Sequence, residues 1–110
     1  TVAAMGAAAG ITYLLGRDLN AIEYAIQNMI GNITGMLCDG AKADCALKAY
    51  TGVTAAFQSA FMALKGLKVQ KTDGIISDDV EKSIDNFATL GNKGSVFMDP
   101  LILGMMLHKD

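Results

Sequence analysis

The chain reads as an all-α protein of about five helices. Apolar residues recur at three- and four-residue steps over most of its 110 positions, which is the spacing of one helix face. Alternating strand-like runs are nearly absent, and Ile75-Ile76 is too short to build a sheet. Helix-start and turn signals divide the periodic stretches at regular intervals.

The first segment, residues 2–15, carries no charge and places Gly6 and Gly10 four apart, a spacing that suits close helix packing. It is shorter than the ~18 apolar residues a membrane span needs and is rich in alanine. It therefore reads as a buried core helix, and no membrane is implied. Arg17-Asp18 breaks this run. A second helix follows, with Leu19, Ile22, Ile26, Met29, Ile30 and Ile33 on its apolar face and Glu23, Gln27 and Asn28 on a thin polar one.

Gly31, Gly35 and Gly40 mark a hinge where the backbone turns sharply. Residues 41–64 then predict a third helix. Its apolar face carries Ala46, Ala49, Val53, Phe57, Ala60, Phe61 and Leu64, with Lys48, Thr51, Thr54, Gln58 and Ser59 opposite. Asp73-Gly74 signals a turn in the polar connection that follows. Ser77 is the expected N-cap of a fourth helix, with Asp78, Asp79 and Glu81 in its first turn and Gly91 or Gly94 as its stop. Asp99-Pro100 predicts a separate fifth helix over 101–107, so apolar that it must dock on something.

Composition narrows the function classes. Nine basic and eleven acidic residues leave a nearly balanced charge with no basic patch, so nucleic acid is not an expected partner. Two cysteines and no secretory leader point to a reducing, cytoplasmic setting. A hydrophobic content of 52% and a mean hydropathy of +0.34 are high for so small a domain, which implies that part of its apolar surface belongs to an interface. The opening, without an initiator Met, reads as the C-terminal portion of a larger enzyme, with residues 1–110 forming one helical domain.

The chemistry-bearing stretch is Cys38-Asp39-Gly40-Ala41-Lys42-Ala43-Asp44-Cys45. This is not the C-x-x-C of a zinc knuckle or redox dithiol, and two ligands cannot fill a four-coordinate metal site. Two buried apolar thiols would account for it equally simply. Cys38, however, lies just ahead of the expected start of the third helix, where free backbone N–H groups favour a thiolate, and Lys42 and Lys48 add positive charge. His108 is the sole histidine and sits near the end of the chain, and no Ser-His-Asp set or phosphate-binding glycine fingerprint is present.

The run from Asn32 through Lys42, continuing through Cys45-Ala46-Leu47-Lys48, resembles the C-terminal signature of the L-cysteine desulfidase family, relatives of the iron-sulfur-dependent L-serine dehydratase alpha chain. Thr72-Asp73-Gly74-Ile75-Ile76, Ser77-Asp78-Asp79-Val80, Asp85-Asn86-Phe87 with Leu90-Gly91, and Asp99-Pro100-Leu101-Ile102-Leu103 fall in the family's order. The resemblance implies a lyase that removes sulfide from L-cysteine, or water from L-serine, to leave pyruvate and ammonia. It implies a 4Fe-4S cluster acting as a Lewis acid, held by three cysteines while a protein base takes the alpha proton. Cys38 and Cys45 would be two of its ligands, with the third upstream of this sequence. Asp39 and Lys42 would orient those ligands and tune the cluster. The implied partners are the small amino-acid substrate and the remainder of the same enzyme or a partner chain, and the isolated chain would be inactive and without cluster. Two readings compete: a non-catalytic helical interaction module with an apolar partner-binding surface, and a homo-oligomer sharing a zinc site through Cys38 and Cys45 of each copy.

Overall fold

A computed structural model describes residues 2–40 and 42–109. Among these residues there are four α-helices and no strand: α1 (Val2–Gly16), α2 (Leu19–Ile33), α3 (Cys45–Leu64) and α4 (Val80–Leu107). The first three pack on one another as a bundle, and α4 packs on α2. Ala4 lies against Gly52 and Gly16 against Leu64, so α1 and α3 run parallel, side by side.

Arg17 adopts a left-handed backbone (φ 54°), and its amide donates to the Tyr13 carbonyl at 3.1 Å. Asp18 then caps α2 by accepting from the Asn20 amide at 3.1 Å. The core is built largely of alanine, with Ala8, Ala25 and Ala56 fully buried beside Met29 and Ile30. Such small side chains allow the helix backbones to approach closely. A Cβ at Gly52 would stand 3.2 Å from that of Ala4.

The expected faces of α2 and α3 are both corrected. Leu19 is 67% exposed, whereas Gln27 and Asn28 are buried. Residues 27–30 of α2 are buried all round the helix, because the 65–79 connection runs back along it. Each amide binds that connection. Asn28 Nδ2 donates to the Ser59 carbonyl (3.3 Å) and the Leu67 carbonyl (3.1 Å), and its Oδ1 accepts from the Val69 amide (2.9 Å). Gln27 Nε2 donates to the Ser77 carbonyl at 2.9 Å. On α3 the buried residues are Gly52, Ala55, Ala56, Ser59, Ala60 and Ala63. Val53, Phe57 and Phe61, expected inside, are exposed, since the gap to α1 admits only small side chains.

Three boundaries also differ from expectation. The third helix begins at Cys45; the residue where it was expected to begin, Ala41, lies outside the described residues. The lead-in is a run of turns in which the amides of Cys45 and Leu47 reach back to the carbonyls of Lys42 (3.0 Å) and Asp44 (2.9 Å). The cap of α4 is Asp79, accepting from the Glu81 amide at 3.2 Å, while Ser77 exchanges hydrogen bonds with Ser83. The expected fourth and fifth helices are one, continuous through Gly91, Gly94 and Pro100. A helical glycine costs only about 1 kcal/mol relative to alanine and stops nothing unless a cap replaces the next turn. The true caps are visible elsewhere. At the end of α3, Gly66 (φ 75°) forms a Schellman motif, with the Leu67 amide on the Met62 carbonyl and the Gly66 amide on the Ala63 carbonyl, both at 2.9 Å. In the last turns of α4, Leu101, Leu103, Met105 and Leu107 are exposed, while Met106 lies against Gly40.

Asn28→Ala removes three buried hydrogen bonds, those to the Ser59 and Leu67 carbonyls and from the Val69 amide, and is expected to lower stability by about 2–3 kcal/mol, a drop in Tm of about 8–15 °C. Asn32→Ala, which removes only an exposed bond to Gln58, should change stability by less than about 0.5 kcal/mol. Thermal melts of the two variants check the difference.

Candidate functional site

The loop between α2 and α3 carries both cysteines. It leaves α2 through Thr34, whose amide donates to the Ile30 carbonyl at 3.1 Å, and turns at Gly35 (φ 103°). It turns again at Gly40 (φ 110°), where any side chain would collide with the thioether of Met106. The far end of α4 thus leans on the loop, and the left-handed backbone at Gly40 is what favours glycine there.

Cys38 is exposed and Cys45 half-buried. The Cys45 thiol donates to the Gly40 carbonyl at 3.4 Å. Both cysteines line one cavity of about 470 Å³, walled also by Ala3, Ala4 and Ala7 of α1, by Met36 and Leu37 of the loop, and by Lys48, Ala49, Gly52 and Val53 of α3. Cys38 also borders a second cavity, about 730 Å³, between α4 and the end of α2. The cysteines are therefore brought to one place, but not as expected. The first residue of α3 is Cys45, so the helix N-terminus lies at Cys45, with Cys38 seven positions earlier.

The charged residues organise this loop, and one of them, Lys48, also borders the cavity. The Asp39 carboxylate accepts from both Lys42 and Lys48. Lys42 Nζ also donates to the Asp39 backbone carbonyl at 3.2 Å and lies 3.5 Å from Asp44. Two ammoniums thus face two carboxylates. The positive charge expected beside Cys38 is taken up internally, with Asp39 as the hub. The hydrogen bonds from Lys42 and then Lys48 hold the Asp39 carboxyl well below the ordinary carboxylate range, and Asp39 raises both lysines in return. These groups are solvent-exposed, so salt screens the pairing.

Among the described residues, no three His, Cys, Asp or Glu side chains come together as a metal site. Two thiols on one cavity wall fit part of a thiolate-bound metal group and leave the remaining positions to be supplied from outside this chain. His108 is exposed at the end of α4. Sequence reasoning did not place the α1 alanines in the cavity wall, nor Lys48 on Asp39. Their only local signal was small size in the first case and a positive charge in the second.

Because its folded-state pKa is depressed, Asp39 contributes stability above about pH 4, where the unfolded carboxyl ionises. That contribution is lost as pH falls through the lower folded value. NMR titration of the Asp39 carboxyl carbon should show it charged below pH 4, and Lys48→Met should move its midpoint up towards the ordinary range. Ellman's reagent should modify Cys38 before Cys45, and Cys38→Ala should remove the fast phase.

The model of the family described as serine dehydratase alpha chain matches residues 1–104. A UPF0597 protein of Shewanella halifaxensis is 51% identical over 109 residues, 99% of this chain and 25% of the relative. One from Parabacteroides distasonis is 52% identical over 108 residues, 98% of this chain and 25% of the relative. One from Clostridium perfringens is 50% identical over 106 residues, 96% and 25% respectively. The chain spans about a quarter of the length of these relatives. No solved structure matches. Matched over nearly its whole length, and with both of its cysteines inside the match, the chain belongs to the serine dehydratase alpha chain family.

Proposed function

We propose that this chain forms part of a cytoplasmic lyase that eliminates sulfide from L-cysteine, leaving pyruvate and ammonia, with elimination of water from L-serine as the alternative substrate class. One observation carries the reading. Cys38 and Cys45 open on a single cavity in a chain matched by the serine dehydratase alpha chain model. The two thiols are two of the ligands of a 4Fe-4S cluster whose remaining ligands come from the longer polypeptide. Bound there, the cluster would supply Lewis-acid chemistry to the amino-acid substrate.

This chain's own residues do the positioning. Gly35 and Gly40 turn the loop so that Cys38 and Cys45 share a wall. Asp39, gripped by Lys42 and Lys48, fixes the backbone between the two cysteines. The Cys45 thiol donates to the Gly40 carbonyl, and ligation by the thiolate would exchange that bond. With two ligands only, the isolated chain binds no cluster and turns over no substrate.

The test is anaerobic reconstitution with iron and sulfide of a polypeptide of the relatives' length carrying this sequence. Cys38→Ala and Cys45→Ala should each abolish visible cluster absorbance and turnover together. If the cysteines are structural, Cys45→Ala instead loses about 1–2 kcal/mol of stability, Cys38→Ala, at an exposed position, less than about 0.5 kcal/mol, and both keep their turnover. Sulfide released from L-cysteine, measured against pyruvate from L-serine, decides the substrate. A non-catalytic interaction module would show neither cluster nor turnover.

A further inference from the structure

The α1 and α3 helices lie side by side, and their shared outer surface is largely apolar, with Lys48 at its cysteine end. On α1 the outward positions are Ala3, Gly6, Ala7, Gly10, Tyr13 and Leu14, and the whole helix carries no charge. On α3 the stripe runs Ala49, Val53, Phe57, Phe61 at four-residue steps, all exposed, with the two phenylalanine rings 6.1 Å apart. The faces meet at the cysteine cavity, where Ala3 and Ala7 stand beside Ala49 and Val53. Two features of this surface have no explanation inside the chain. A helical period of large apolar residues points away from the core, where burial would stabilise it. Gly6 and Gly10 sit within a helix where a Cβ would meet nothing, although alanine there would make a more stable helix. Glycine in that setting is explained by another backbone coming close.

We infer that this α1–α3 groove is the seat of an uncharged helix from the remaining portion of the same polypeptide in the longer protein. Relatives about half identical to this chain carry its sequence as 25% of a single, longer chain, so that portion is present at one copy for each groove. The seated helix presents small residues towards Gly6 and Gly10 and aliphatic ones between Val53 and Phe61. One of its ends reaches the cavity of Cys38 and Cys45. This assignment stands apart from the proposed lyase reaction, since it rests on packing alone.

Hydroxyl-radical footprinting tests it on two proteins: the 110-residue chain, and the Shewanella halifaxensis relative with this chain in place of its matching quarter. Phe57 and Phe61 are 45% and 49% exposed here. Burial in the longer protein should cut their labelling about fivefold, in proportion to lost exposure. Equal labelling in the two proteins overturns the inference. So does protection already present in the isolated chain that grows with its concentration, because a second copy would then be the occupant. The isolated chain gives an independent reading through a dye for hydrophobic surface: Val53→Asp with Phe57→Asp should remove much of the bound dye while helicity stays unchanged. Dye binding undiminished by that pair also overturns it.

Discussion

The bundle depends on a single buried amide. Asn28 sits in the middle of α2, reaches the last turns of α3 through the Ser59 carbonyl, and holds the following connection through Leu67 and Val69. A buried carboxamide is costly unless its donors and acceptor are satisfied, and here they are satisfied by the backbone of Ser59, Leu67 and Val69. The side chain thereby defines where the chain passes after α3. One turn further along, Val69 packs over Gly31, where a Cβ would come within 3.0 Å of it. Asn28 and Gly31 together form the slot that carries the connection across α2, and α4 starts from where that slot ends.

The helical class was legible because 3.6-residue periodicity survives any rotation of a helix about its axis. The rotation itself was not. For α3 the large residues pointed to Val53, Phe57 and Phe61 as the inward face, but the distance to α1 admits only Gly52, Ala55 and Ala56. A periodic pattern marks faces that exclude water somewhere; it does not say which neighbour covers them. Gln27 and Asn28 were misplaced for a related reason. Polar side chains predict an outward face only when no backbone lies across the helix to receive them. The joined fourth helix shows that Asp99-Pro100 resembles a start signal only if the preceding helix has ended, and no cap ends it at Gly91 or Gly94.

At the site, the loop was legible and its electrostatics were not. The glycines at 35 and 40 signalled turns, and both occupy the left-handed region. Proximity of Lys42 and Lys48 to Cys38 along the chain suggested a field acting on the thiol. In three dimensions both ammoniums converge on Asp39, and Asp44 adds a second carboxylate. The lysines thus act as ties that hold a short loop in shape. Charge near a cysteine in sequence is informative about its reactivity only after the competing carboxylates have been located.

Pro100 sits inside α4 without ending it. Proline has no amide hydrogen, so the Val96 carbonyl one turn earlier lacks its helical bond, and the rod is most compliant there. Met106 lies in the last turns, on the far side of this gap in the hydrogen-bond ladder, and touches Gly40, the residue whose carbonyl receives the Cys45 thiol. The end of α4 therefore meets the cysteine loop at a single glycine, one hydrogen bond removed from the thiol, and on the side of the proline where the helix is least tied to the bundle.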